Sequence, residues 1–187
     1  MQRLLFIVCA LLLVASPASA QTADHEPRAS LAVETDVLAY LPPGYSAILS
    51  VSFRNGLQVA FGLGSYRPTG SDLILIKGAT SLQVLRTTYR FRGPSRNGPA
   101  VGVVVLNENQ GLRAFYQTEE TEFRTLRVGI SGGYYQHIGQ HFYLYPTAAY
   151  THNTVRSGAT TLDVRDSVKE WSPKISVHVG WRWAWRR

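Results

Sequence analysis

The chain has 187 residues, a formal charge of +7 and a single cysteine, Cys9. Its lysines and arginines are dispersed at alternating positions instead of clustered, and the chain carries an export signal, which argues against nucleic acid as a partner. Cys9 lies inside that signal, so the mature chain has neither disulfides nor thiolate metal sites.

Met1-Gln2-Arg3 is a basic start, Leu4 to Val14 an apolar run too short to cross a bilayer as a helix, and Ala18-Ser19-Ala20 an A-x-A cleavage site. Residues 1–20 are therefore expected to be a cleaved signal peptide. Val8 before Cys9 is too large for lipoprotein processing. Residues 21–30 read as a flexible polar segment, and residues 31–187 as one all-β domain rich in Tyr, Val, Gly and Thr.

Eight candidate strands follow, each with a period of two. In the first, 31–40, Leu31, Val33, Thr35 and Val37 oppose Glu34 and Asp36, before Leu41-Pro42-Pro43-Gly44 breaks the pattern. The second, 45–53, sets Ala47, Leu49, Val51 and Phe53 against Ser46, Ser50 and Ser52. The third, 57–66, sets Leu57, Val59, Phe61 and Leu63 against Gln58, Ala60, Gly62 and Gly64.

Between these two, a two-residue Asn-Gly turn would oppose apolar and polar residues. A three-residue loop Arg54-Asn55-Gly56 instead faces Phe53 with Leu57, with Gly56 left-handed, and is the expectation. A connection over 67–79 carries turn chemistry at Pro68-Thr69-Gly70-Ser71-Asp72; residues 73–76 fit either a strand extension or a rim piece.

The fourth strand, 80–92, sets Leu85, Thr87, Tyr89 and Phe91 against Val84, Arg86, Thr88 and Arg90, and 93–98 forms a tight turn. The fifth, 99–107, is Val-rich on both sides, which leaves its facing open. A long polar connection is expected over 108–120, with Glu119, Glu120 and Glu122 close together. The sixth, 123–135, sets Leu126, Val128, Ile130 and Tyr134 against Arg127, Gly129, Ser131 and Gly133.

After a turn at 136–140, the seventh strand, 142–151, sets Phe142, Leu144, Ala148 and Tyr150 against Tyr143, Tyr145, Thr147 and Ala149. Pro146 within it calls for a bulge. A long connection over 152–172 leads to the last strand, where Val177, Val179, Trp181, Trp183 and Trp185 oppose Ser176, His178, Gly180, Arg182 and Ala184.

Short connections alternate with long ones, strands are about ten residues long, and aromatics fall near strand ends; this is the pattern of a transmembrane barrel. The predicted fold is an eight-stranded antiparallel up-and-down transmembrane β-barrel. The other architecture, a soluble lipocalin-like barrel or sandwich, turns the same apolar face inward.

In the membrane reading Tyr89, Phe91, Tyr134, Phe142, Tyr150, Trp181 and Trp183 form aromatic girdles. Arg86, Arg90, Arg127 and Arg182 must face the lumen, because an Arg facing mid-bilayer lipid costs about 2–4 kcal/mol. Glu34 and Asp36 are expected to pair with Arg182, His178 or Lys174, since the first and last strands meet on closure.

Phe142-Tyr143-Leu144-Tyr145-Pro146 is similar to a G-x-Y-x-x-P-W segment, and His178-Val179-Gly180-Trp181-Arg182-Trp183 to a terminal H-V-G-Y-R-F. On these residues the chain resembles the small eight-stranded OmpA/OmpX-like outer-membrane barrels over roughly Thr35 to Trp183. The resemblance implies insertion by the outer-membrane assembly machinery, with Gly180, Trp181 and Trp183 in the assembly signal. It implies no activity. Thr147 replaces the expected Trp, and Ala184-Trp185-Arg186-Arg187 extends past the terminal aromatic slot, which leaves open which aromatic serves.

No catalytic, cofactor or metal residues are assigned. Ser176 and His178 share a face, but in the order Ser-x-His, whereas a resemblance to lipid A deacylases would want His-x-Ser. His141 and His152 read as rim residues. Arg67, Lys77, Arg113, Arg156, Arg165 and Lys169 fall in candidate external loops, able to meet lipopolysaccharide phosphates or only solvent. The expected protein is a monomeric outer-membrane barrel with a structural or surface-interaction role, in contact with outer-membrane lipid and lipopolysaccharide. An outer-leaflet lipid-modifying enzyme and a soluble periplasmic ligand-binding barrel are the alternatives.

Overall fold

The computed structural model describes residues 29–40, 44–66, 75–114, 120–157 and 170–184. The expected leader, the segment before Ala29, Pro42 and Pro43, Arg67 to Ile74, Glu119, Arg165, Lys169 and Trp185 to Arg187 lie outside the described residues.

Eight antiparallel strands close into a barrel in simple sequence order: β1 (Ala29–Asp36), β2 (Gly44–Phe53), β3 (Leu57–Tyr66), β4 (Leu75–Arg90), β5 (Gly98–Ala114), β6 (Glu120–Ile138), β7 (Phe142–Ser157) and β8 (Trp171–Ala184). β1 pairs with β2 from Ala29↔Phe53 to Glu34↔Ile48, and with β8 from Ser30↔Ala184 to Asp36↔His178. The strand ends at Ala29 and Ala184 therefore lie at the end that carries the short turns.

The apolar set of every strand faces outward. Leu49, Phe61, Leu85, Val103, Ile130, Tyr150 and Val179 are all exposed, Ile130 by 71 %. Inside, Glu34, Arg86, Arg90, His178 and Arg182 are buried. This is the reverse of a soluble barrel with an oily centre. β5 is apolar on both sides because it serves both faces: Val101 and Val103 project outward, while Ala100, Val104 and Leu106 project into the lumen.

The β2–β3 turn is the three-residue loop. Ser52 pairs with Gln58, so Phe53 faces Leu57; Gly56 N donates to Phe53 O at 3.0 Å and Gly56 has φ 87°.

Several boundaries differ from the sequence reading, each for a physical reason. Ala29 and Ser30 belong to β1. Val37 leaves the strand for a short 3-10 turn, Val37–Tyr40, because Asp36 Oδ1 accepts from Leu38 N at 3.1 Å and bends the chain off the ladder.

The far-end connections are shorter than expected. β5 runs on to Ala114, β6 starts at Glu120, and β7 runs on to Ser157, so Lys77, Arg113 and Arg156 sit in strands. In β5 beyond the apolar band Asn107 to Gln110 are all polar, so alternation disappears while backbone pairing continues. At the short-turn end the connections move by a few residues: Phe91 and Arg92 belong to the turn before β5, and β6 extends to Ile138.

Pro146 causes no bulge. The β6–β7 pairs run to Gly133↔Thr147 and resume in the same register at Gln136↔Leu144, so the two rungs at Pro146 and Tyr145 are lost but no residue is inserted. On the other side Pro146 pairs with Val177 in unbroken register. The register shifts lie at the far end instead, between Lys77 and Thr80 and between Arg124 and Thr125.

A Cβ at Gly56 would meet Arg90 O and also demand a left-handed residue, whereas Gly139, φ 70°, has nothing within 4 Å of that position. Gly56→Val is expected to destabilise the barrel by more than the roughly 1–2 kcal/mol that left-handed geometry alone costs, and Gly139→Ala by about that amount. Urea unfolding in lipid vesicles checks the order; equal losses would mean the Arg90 contact relaxes freely.

Candidate functional site: the barrel lumen

The lumen divides into two halves of different chemistry. At the terminus end it is filled by a charged and aromatic plug. Arg86, on β4, reaches across to Glu34 on β1, Nη2 to Oε2 at 2.5 Å, with both side chains almost wholly buried. Glu34 Oε1 accepts from Gln58 Nε2 at 3.1 Å, and the same amide lies 3.0 Å from Ser50 Oγ. The Tyr135 hydroxyl donates to Gln58 Oε1.

The aromatic half of the plug comes from inward positions of β6 and β7. The Tyr135 ring stacks on Tyr145 with centroids 3.9 Å apart, and Tyr143 tilts against Tyr135 at 5.5 Å. Cations sit on these rings: Arg90 lies 3.9 Å from the Tyr135 centroid and Arg86 5.0 Å from that of Tyr145. Arg90 also contacts His137 Nε2 at 2.7 Å. A ring face attracts a desolvated guanidinium, so a cation can be buried here without a carboxylate at every arginine.

Gly180 makes room for this stack. A Cβ there would lie 2.6 Å from Tyr143 Cε1, so the ring covers the glycine on the neighbouring strand. Arg182 closes the terminus end by donating to Pro94 O at 2.5 Å, Ser95 Oγ at 3.3 Å and Gln140 O at 3.4 Å, tying β8 to two turns.

The pairing expected across the β1–β8 seam is not what forms. Glu34 pairs with Arg86 from the opposite wall, because on β8 its direct neighbour is Gly180. Asp36 Oδ1 accepts backbone hydrogens from Leu38 and Val177, both at 3.1 Å, and so anchors the seam through the main chain. His178 stacks on Tyr145 at 5.8 Å. Arg127 pairs with Glu108, 2.8 Å apart. Glu108 lies in β5, inside the stretch where the sequence predicts a loop, and shares parity with Ala100, Val104 and Leu106.

Outside, Tyr89, Phe91, Tyr134, Phe142, Trp181 and Trp183 cluster toward the terminus end, whereas Tyr150 lies midway along β7 beside Ile130; all are exposed. Phe142 meets Trp181 edge-on at 4.4 Å, and His141 stacks on Trp181 at 5.2 Å. Tyr150 stacks on Trp171, the first residue of β8 at the far end, and there His152 Nε2 lies 3.2 Å from Glu170 Oε1. No serine hydrogen-bonds His152 among the described residues, and Ser176 and His178 are both buried in the lumen.

No protein-family model and no curated protein matches the chain. Solved structures do. Neisserial surface protein A aligns at TM-score 0.51 and 15% identity, covering 84% of this chain and 94% of that one. The N-terminal β-barrel domain of Pseudomonas aeruginosa OprF aligns at TM-score 0.52 and 12% identity, covering 86% of this chain and 100% of that one.

Breaking a buried pair leaves an uncompensated charge, whereas exchanging both members for apolar groups is often neutral. Glu34→Ala is expected to cost about 3–5 kcal/mol, and the double change Glu34→Met with Arg86→Met to recover most of it. Unfolding in lipid vesicles measures both; a double variant no better than the single one would remove the pairing as the cause.

This chain has the fold of the small eight-stranded outer-membrane barrels.

Proposed function

We propose that the protein is a bacterial outer-membrane barrel with a structural or surface-interaction role and no open pore. One observation carries this reading: a continuous apolar band faces outward around every strand while the guanidinium groups of Arg86, Arg90, Arg127 and Arg182 point in. Soluble proteins rarely expose contiguous apolar patches beyond a few hundred Å². Hydrocarbon wetting this band, with aromatics at both margins, is the arrangement such barrels require. The short turns and strand ends then face the periplasm, and the far end faces out. The Neisserial neighbour is named a surface protein, and this chain is proposed to sit likewise at the cell surface.

The plug supports the absence of a pore. Glu34, Arg86, Tyr135, Tyr143 and Tyr145 are buried side by side across the terminus half, leaving no wide aqueous path there. The lumenal placement of Ser176 and His178 counts against an outer-leaflet hydrolase, whose catalytic groups must reach lipid.

Ile130, paired with Val103 and Tyr150, stands in the middle of the band. Ile130→Arg is expected to lower folded stability in vesicles by about 2–4 kcal/mol. The wild-type barrel in planar bilayers should show no steady conductance. A soluble, detergent-free barrel in which Ile130→Arg is neutral would overturn the membrane reading; a stable open channel would overturn the sealed lumen.

A further inference from the structure

Above the plug, the far half of the lumen is not filled. A cavity of about 310 Å³ lies there, with Arg86 and His178 among its lining groups. Its walls are unlike each other. Ile48, Leu82, Val84, Val104 and Leu106, from β2, β4 and β5, make one side apolar. Small side chains of β6 to β8, Ser131, Thr147, Ala149 and Ser176, make the other.

The polar groups that line it include two that the fold leaves incompletely used. Glu108 is wholly buried; its Oε2 accepts from Arg127 and from Gln110, while Oε1 has no hydrogen-bond partner among the described residues. Lys174 lines the same space, and its ammonium makes no hydrogen bond or ion pair among the described residues. A buried carboxylate oxygen without a donor is costly; Glu108 lines the cavity, and a small turn of its carboxylate about the Oε2 contacts would let a donor from outside the chain reach Oε1.

We propose that this cavity binds a small neutral amphiphile, its apolar chain against the Ile48–Leu106 wall and its head donating to Glu108 Oε1 while accepting from Lys174. The volume is about twice that of the roughly 150 Å³ cavities that take benzene, which sets a size of about twelve non-hydrogen atoms. It also falls at the lower end of the roughly 300–1,000 Å³ typical of small-molecule sites.

The head is neutral because the charges balance: Arg86 is neutralised by Glu34, and Arg127 and Lys174 face Glu108 and Asp36. A carboxylate head would bring a second anion beside Glu108, and an ammonium would stand beside Lys174 and Arg127. An amide or hydroxyl head supplies both a donor and an acceptor at no charge. The ligand would enter from the far end, since the plug blocks the other.

The test uses the full-length barrel in lipid nanodiscs, with octanamide titrated calorimetrically and empty nanodiscs as the blank for partitioning. Saturable binding of about one octanamide per barrel is expected, about tenfold tighter than octanoate. Val104→Trp, which fills the cavity, should abolish it, and Lys174→Met should weaken it by about tenfold, the share of one charge-assisted hydrogen bond. Heat-modifiable gel mobility verifies that each variant is folded; should Val104→Trp fail to fold, Leu106→Phe fills the same wall. Heat no greater than that of empty nanodiscs, or unchanged affinity in the folded filling variant, would overturn the site. Octanoate binding more tightly than octanamide would overturn the assignment of the head.

Discussion

A sheet closed on itself has no edge, and that closure is the constraint on which the other features rest. With β1 hydrogen-bonded to both β2 and β8, the main chain is satisfied around the ring, and the choice of which face meets which medium passes to the side chains. Because the period along a strand is two, a single choice fixes all of them. Leu, Val, Ile and the large aromatics take the outside, and whatever remains must fit inside a tube too narrow to hydrate it fully.

The interior meets this requirement with a few cooperating contacts. An isolated buried guanidinium is expensive, and here four of them receive three remedies: a carboxylate for Arg86 and Arg127, a tyrosine face for Arg90, and turn oxygens for Arg182. These remedies are also structural ties. The Glu34–Arg86 pair joins opposite walls, and Arg182 joins the last strand to the β4–β5 and β6–β7 turns. A glycine at position 180 lets the Tyr143 ring lie against the neighbouring strand, so backbone, rings and cations pack as one body.

The outward face was legible in the sequence because hydrocarbon imposes a uniform demand. Leu49, Val51 and Phe53, or Val177, Val179 and Trp181, reveal their strands without reference to any partner. Even the parity of the Arg54-Asn55-Gly56 turn follows from keeping such residues on one side. The lumen was harder to read because its contacts cross the barrel. Glu34 sits beside β8 in the sheet, yet its partner Arg86 comes from the opposite wall, a distance that strand adjacency does not encode. Strand ends beyond the band were equally obscure: from Asn107 to Gln110 both faces are polar, and only backbone pairing marks the strand.

The asymmetry of the lumen follows from where the bulky inward residues fall along each strand. Tyr135, Tyr143 and Tyr145 occupy the terminus half of β6 and β7, and Arg86 and Arg90 approach them from β4. Further along the same strands the inward positions shrink to Ser131, Thr147 and Ala149, while the opposing positions become Val84, Val104 and Leu106. Large rings therefore seal one half, and small groups facing short aliphatics leave space in the other. A cup closed at the terminus end follows from this one gradient of side-chain volume. Enlarging the residues around position 131 would close the cup, and shrinking those around 135 would turn it into a tube.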